Sequence, residues 1–244
     1  MKIDAEDLHY KELNDRIRKA VESSEMEIEI SNVNGHRYIG AGLKEDDLKI
    51  GIEGVPGNDL AAFMDGPEIK VRDNVQDAVG NTMNSGKVVI DGSAGDVIGH
   101  SMRGGSIYVR GDAGCRSGIH MKAYKEFFPV VIIGGSVQDF FGEYMAGGLL
   151  VVLGIDRDLE DIVGDYVGTG MHGGEIYVRG AVEDYQLGEE VGRKKPDKED
   201  IERLRKYLDD YSKYFDLDND FEIEDDFVRL VPKSHRPYGK IYTY

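Results

Sequence analysis

The chain contains no tryptophan and only one cysteine among 244 residues, and it carries 30 basic against 47 acidic side chains. The lone thiol, Cys115, excludes an internal disulfide. A formal net charge of −17 opposes nucleic acid and anionic membranes, because neither gains the counterion release that basic proteins exploit. No apolar run reaches the roughly 18 residues of a membrane span, and no charged, apolar, small-residue leader opens the chain. Neither a span nor a signal peptide is therefore expected, and a cytoplasmic location is. The sequence has no Gly-x-Ser-x-Gly pentapeptide, the strand-to-helix elbow of a free-standing esterase or hydrolase. Composition leaves proteins or small molecules as partners; abundant Asp, Glu and Lys without Trp is compatible with a thermophile.

What the chain does have is a repeat. Six of its eight methionines, Met64, Met83, Met102, Met121, Met145 and Met171, follow one another at intervals of 19, 19, 19, 24 and 26 residues. Around them runs the pattern D-x-x-G-x-x-M-x-x-G-x-I-x-V-x-G, seen best from Asp96 to Gly111 and from Asp165 to Gly180. A βαβ unit needs about 30 residues, so the unit predicts one coil of a right-handed parallel β-helix, stacked on its neighbours to bury its apolar face. Five residues after most methionines comes an alternating apolar pair: Ile69/Val71, Val88/Ile90, Ile107/Val109, Leu150/Val152 and Ile176/Val178. Ile50/Ile52 opens this series, and Val130/Ile132 joins it after a four-residue insertion within Lys122 to Pro129. That gives about seven coils, each pair pointing to one face of its strand. The methionines should form one buried column, a place that suits an unbranched, adaptable thioether.

The candidates for chemistry have structural readings beside functional ones. Gly80, Gly99, Gly118, Gly142 and Gly168 stand three residues before a methionine, and Gly86, Gly105, Gly148 and Gly174 three after; sharp turns and close backbone approach explain them. Gly168-Thr169-Gly170-Met171-His172-Gly173 matches G-x-G-x-x-G, but no amphipathic helix follows it as a dinucleotide site requires. Asp77, Asp96, Asp139 and Asp165 share one repeat position, which Cys115 also occupies. Stacked carboxylates could share a proton, whereas a turn acceptor for backbone N–H groups is the simpler role. The histidines at 9, 36, 100, 120, 172 and 235 occupy no common position, so a metal cluster would need accidental convergence. Asp216, Asp218 and Asp220 begin like a calcium loop, yet Phe221 stands where Gly is needed and Phe227 where Glu is needed. No catalytic, cofactor-binding or metal-ligating residue is assigned.

Three parts are expected: an amphipathic helix in 1–24, with Leu8, Leu13, Ile17 and Val21 on one stripe; the glycine-rich β-helix in 25–180; and a C-terminal part, 181–244. That last part holds a helix over Lys198 to Phe215, with Ile201, Leu204, Leu208, Tyr211 and Phe215 on its stripe, and then an extended tail. A solenoid has two open ends, so the helices are expected as caps or side covers. Val131, Ile133, Val151 and Leu153 read as an apolar patch facing outward. Either one of the chain's own helices covers it, or it docks a partner polypeptide beside Phe127 and Phe128.

Several blocks resemble a known family. Gly57-Asn58-Asp59-Leu60, Val79 to Gly86, Ser101 to Gly105, Gly118 to Met121, Gly142 to Gly148 and Gly168 to Gly174 are similar to the GXGXG domain, the C-terminal β-helix domain of the glutamate synthase large (alpha) subunit. The likeness extends to Leu8 to Asn14, Asn32 to Gly40 and the closing Arg236-Pro237-Tyr238-Gly239. The resemblance implies a stand-alone version of that domain, with glutaminase and FMN-synthase polypeptides as partners. FMN and an iron-sulfur cluster would then sit on those partners, with no cofactor on this chain. It further implies a non-catalytic structural subunit of the oxidoreductase complex that makes glutamate from glutamine and 2-oxoglutarate; a homo-oligomer is compatible with this. Formylmethanofuran dehydrogenase has a subunit with the same glycine-rich β-helix, and that subunit is the alternative.

Overall fold

The computed structural model describes residues 1–217, 221 and 223–235. Asp218, Asp220 and the tail from Arg236 lie outside the described residues. One sheet runs the length of the molecule. Strand β1 (Lys2–Asp4) pairs in parallel with β2 (Glu27–Asn34), and β2 with β3 (Lys49–Val55). The same parallel step repeats through β4 (Asp65–Val71), β5 (Ser85–Ile90), β6 (Ser106–Val109), β7 (Val130–Ile133), β8 (Ala146–Val152) and β9 (Gly173–Arg179). Strands β3 to β9 are the seven expected rungs, and six turns of a parallel β-helix separate them. Ile50, Ile69, Val88 and Ile107 are register partners in succession, so equivalent positions stack along the axis. A second column, Val75, Ala94, Ala113, Val137 and Val163, is bridged in parallel on another side of each coil.

One rung departs from the expected register. Ile107 pairs with Val131 and Val109 with Ile133, so the inward pair of β7 is Val131/Ile133, and Val130/Ile132 face out. The insertion between β6 and β7 is therefore five residues, the same excess that separates Met121 from Met145. All four side chains of β7 are apolar, so alternation gave no face, and a slip of one residue exchanges the two sides of a strand.

The six methionines form the interior column, each fully buried. They interlock with glycines of the next coil: a Cβ on Gly105 would come within 2.6 Å of the Met83 methyl and 2.7 Å of the Gly86 carbonyl oxygen. Gly105 also has φ +81°, where a side chain is strained. Burying each methionine is worth roughly 1.5–3 kcal/mol.

The ends and one flank are covered by the chain itself. Residues 2–4 form β1, so the first helix, α1 (Tyr10–Glu22), begins later than the stripe implied; His9 caps it. It leans on the first coil through Asn14 Nδ2 to the Arg37 carbonyl and Arg18 to the Ala41 carbonyl, burying Leu13, Ile17 and Ala20. At the other end β11 (Phe227–Pro232) adds antiparallel to β9, and β10 (Val191–Lys194) antiparallel to β11. Helix α2 (Lys198–Phe215) lies across the outer side of the sheet, and a short α3 (Ile223–Asp226) leads into β11.

Met102→Ala should lower the stability measured by denaturant unfolding by about 2–5 kcal/mol, the range for emptying a packed interior site. An unchanged midpoint would show that the methionine column carries no packing.

Candidate interaction faces

The coil has two outer faces of opposite character. On the sheet side, Val130, Ile132, Leu149, Val151 and Leu153 form an apolar strip flanked by Val89, Tyr108 and Tyr177. Leu204, Leu208, Tyr211 and Phe215 of α2 cover it, together with Ile223 and Phe227. Tyr211 donates from its hydroxyl to the Val109 carbonyl at 3.1 Å and meets the Tyr108 ring edge-on at 6.1 Å between centroids. Burial pushes the Tyr211 and Tyr108 hydroxyls well above the ordinary tyrosine range, so both stay protonated donors. Gly134 makes room for this helix, because a Cβ there would sit 2.1 Å from the Tyr211 hydroxyl. The expected patch is thus covered by the chain's own helix at 198–215, and Val131 and Ile133 belong to the interior. The partner-docking version of that patch is overturned.

On the opposite side the backbone alternates in hand. The residues five, three and one before each methionine all have φ between about +50° and +80°, as at Val97 (+54°), Gly99 (+69°) and Ser101 (+55°) ahead of Met102. The amides then point alternately along the axis: Val97 N–H donates to the Cys115 carbonyl one coil on, Gly99 N–H to Val79 one coil back, and Ser101 N–H to Ile119 one coil on. Gly168 and Gly170 are the same turn of a later coil, φ +68° and +70°, and strand β9 follows them. The G-x-G-x-x-G match is therefore a coil corner, and no helix stands behind it.

The aspartate column is a rail of acceptors. Asp77 accepts from the Asp96 amide at 3.0 Å, Asp96 from the Cys115 amide at 2.8 Å, and Asp139 from the Asp165 amide at 2.9 Å. Cys115 donates such a bond from its amide but has no carboxylate to offer the following coil. A parallel rail, which the repeat pattern did not reveal, runs through Asn74, Ser93, Asp112 and Ser136; each of the first three side chains accepts from the amide of the next member at 2.8–3.1 Å. Burial pushes the Asp112 carboxyl up, but hydrogen bonds from Arg157 and Ser136 outweigh this and hold it below the usual carboxylate range.

Exposed aromatic side chains collect on the alternating face. Tyr38, Phe140 and Tyr166 occupy the position five before the methionine or its equivalent, and Phe63, His120 and Tyr144 the position one before. Phe140 stacks on Tyr166 at 4.9 Å and His120 on Tyr144 at 5.4 Å, while the Arg116 guanidinium lies 4.7 Å over Phe140. Phe63, Tyr166 and Tyr38 remain 58%, 52% and 42% exposed. The coil also brings two histidines together across unlike repeat positions: the His100 and His120 rings are 6.0 Å apart, and His100 Nδ1 lies 3.2 Å from Asn81 Oδ1. His36 is buried between the Leu8 carbonyl and the Asn34 amide, and His235 Nδ1 meets the His172 carbonyl. No group of three His, Cys, Asp or Glu that could hold a metal occurs among the described residues, and none of their helices is long and apolar enough to cross a membrane.

Desolvation lowers the His100 pKa, the His120 ring lowers it further, and Asp59 opposes both. A histidine whose folded pKa lies below its ordinary 6.5 costs stability only once the unfolded chain binds the proton more readily. Stability should therefore be level above about pH 6.5 on this group's account and fall as pH drops through that value. His100→Gln should flatten that fall in urea midpoints taken from pH 7.5 to 5, on the ordinary histidine scale; a variant as acid-sensitive as the parent would remove His100 from the account.

Comparison with known proteins agrees with this architecture. The GXGXG motif family model matches residues 8–236. An uncharacterised protein of Methanocaldococcus jannaschii is 47% identical over 249 residues, covering 99% of this chain and 95% of its own length. The glutamate synthase [NADPH] large chain of Bacillus subtilis is 25% identical over 257 residues; the match takes in 90% of this chain and only 16% of that one. Among solved structures, a chain of the formyltransferase/hydrolase complex from Methylorubrum extorquens superposes with a TM-score of 0.63 at 22% identity, over 75% of this chain and 66% of that one, which shows a shared fold. The chain belongs to the GXGXG motif family and is related to the glutamate synthase large chain.

Proposed function

We propose that this chain is a non-catalytic assembly subunit of a split glutamate synthase, bracing a glutaminase polypeptide against an FMN-bearing synthase polypeptide. The observation that carries the reading is the uncovered aromatic face. The chain covers its apolar sheet face with α2, yet leaves Tyr38, Phe63 and Tyr166 in solvent on a backbone held rigid by coil-to-coil hydrogen bonds. Aromatic anchors on a stiff surface are what a docking interface uses, because little side-chain freedom is lost on binding. Relationship to the Bacillus large chain supports the identity of the complex, since the matched region is a small part of a much longer polypeptide.

In this reading, FMN and the iron-sulfur cluster sit on the partner polypeptides, and the complex is cytoplasmic. Ammonia release and glutamate formation also belong to the partners. This chain contributes a spacer whose rungs repeat at about 4.8 Å. The alternative, a component of formylmethanofuran dehydrogenase, has the fold match to the formyltransferase/hydrolase complex in its favour.

Affinity purification of the chain from its native host should recover a glutaminase and a flavoprotein in fixed ratio. Phe63→Glu together with Tyr166→Glu should release both while the circular dichroism spectrum stays unchanged. Recovery of a tungsten or molybdenum protein in their place would favour the alternative. Stoichiometric flavin on the isolated chain would contradict the non-catalytic role.

A further inference from the structure

A cavity of about 400 Å³ opens between the five-residue insertion and the C-terminal strands, within the ~300–1,000 Å³ typical of small-molecule sites. Its floor is the start of β8 and β9, where Gly147, Gly148 and Gly174 carry no side chains. Phe128 and Pro232 line it as apolar groups. Among the described residues its charged lining is Lys194, Arg203 and Arg229 against one carboxylate, that of Glu175, with His235 beside them. That is a reversal of sign in a chain of net charge −17; the cavity beside β1, by contrast, is lined by Glu6 and Asp7.

The arginines are fixed before anything binds. Glu175 accepts from Arg203 Nη2 and Arg229 Nη2, and also from the Tyr177 hydroxyl at 3.3 Å. Asp200, buried at the start of α2, holds Arg229 Nη1 at 2.7 Å and Arg203 Nη2 at 3.0 Å. Every hydrogen bond of Arg203 goes through Nη2, so Nη1 has no partner among the described residues. The Lys194 ammonium makes no ion pair among them, and His235 uses Nδ1 on the His172 carbonyl, with no hydrogen bond from Nε2 to any described residue. Glu175 and Asp200 between them match the two guanidiniums, and Asp197 lies 3.6 Å from Arg229 Nη1, so among the described residues the positive charge left unpaired is the Lys194 ammonium and the unused hydrogen-bonding capacity is that of donors.

We propose that this cavity binds a small organic anion, its carboxylate or phosphate taken by Lys194 and the Nη1 edge of Arg203 and its carbon skeleton resting against Phe128 and Pro232. A preorganised guanidinium loses little freedom on binding an oxyanion, and the glycine floor admits the ligand to the backbone. The inference is independent of the assembly role, because it uses neither the aromatic face nor a partner.

Calorimetric titration of the full chain at low salt tests it, with inorganic phosphate in one arm and succinate in the other. At least one should bind saturably. Lys194→Gln should weaken that binding about tenfold or more, and added salt should weaken it too. Lys195→Gln, an exposed neighbour outside the lining, should leave it unchanged. Binding of phosphate alone assigns a phosphate ester, and binding of succinate alone a carboxylate. No saturable binding of either, or equal binding by Lys194→Gln and the parent, overturns the proposal.

Discussion

Everything in this fold depends on one backbone constraint: the corner of each coil must alternate in hand so that its amides point alternately to the coil before and the coil after. For a residue with a side chain, the left-handed conformation costs roughly 1–2 kcal/mol, and residues such as Thr82, Val97, Ser101 and His120 adopt it. The coil-to-coil hydrogen bonds that result are worth about 0.5–1.5 kcal/mol net each, so the corner roughly breaks even. The surplus that holds the stack together comes from the interior, where each methionine and inward isoleucine or valine contributes roughly 1.5–3 kcal/mol. Glycine three residues before the methionine relieves the corner; Gly105, Gly148 and Gly174, three after it, make space for the methyl of the previous coil's methionine.

The same constraint divides the surface into a closed side and an open one. Five consecutive strands that turn apolar or aromatic side chains outward would attract other chains, and α2 removes that hazard by covering them from Val89 to Tyr177. The alternating corners cannot be covered so simply, since their outward positions change type from coil to coil: Asp59, Ala78, Val97, Arg116, Phe140, Tyr166. That variety is what a specific partner could read, and it is why the assembly role rests on this side.

Much of the fold was legible because the repeat is strict. Methionine spacing located the buried column, and the alternating pairs gave the strand faces wherever one face was polar, as at Ile107-Tyr108-Val109-Arg110. It failed at β7, where Val130 to Ile133 offer no polar residue to mark the outside and only pairing with β6 fixes the register. The aspartate rail could be read from its shared position, whereas the Asn74, Ser93, Asp112, Ser136 rail was hidden because three residue types perform one acceptor role. The contact of His100 with His120 escaped for a related reason: their repeat positions differ, and only the winding of the coil brings them together. The anion cavity was out of reach of any pattern, being assembled from an insertion, a helix and four strands far apart in sequence.

The alternating corners are structural ladders as firm as the strands. Residue-resolved hydrogen exchange measures this directly. The amides of Gly80, Gly99, Gly118 and Gly142 should exchange as slowly as those of the strand residues Val88, Ile107 and Leu150, because opening either requires separating two coils. Exchange of the glycine amides at rates typical of exposed loops, with the strands still protected, would contradict it.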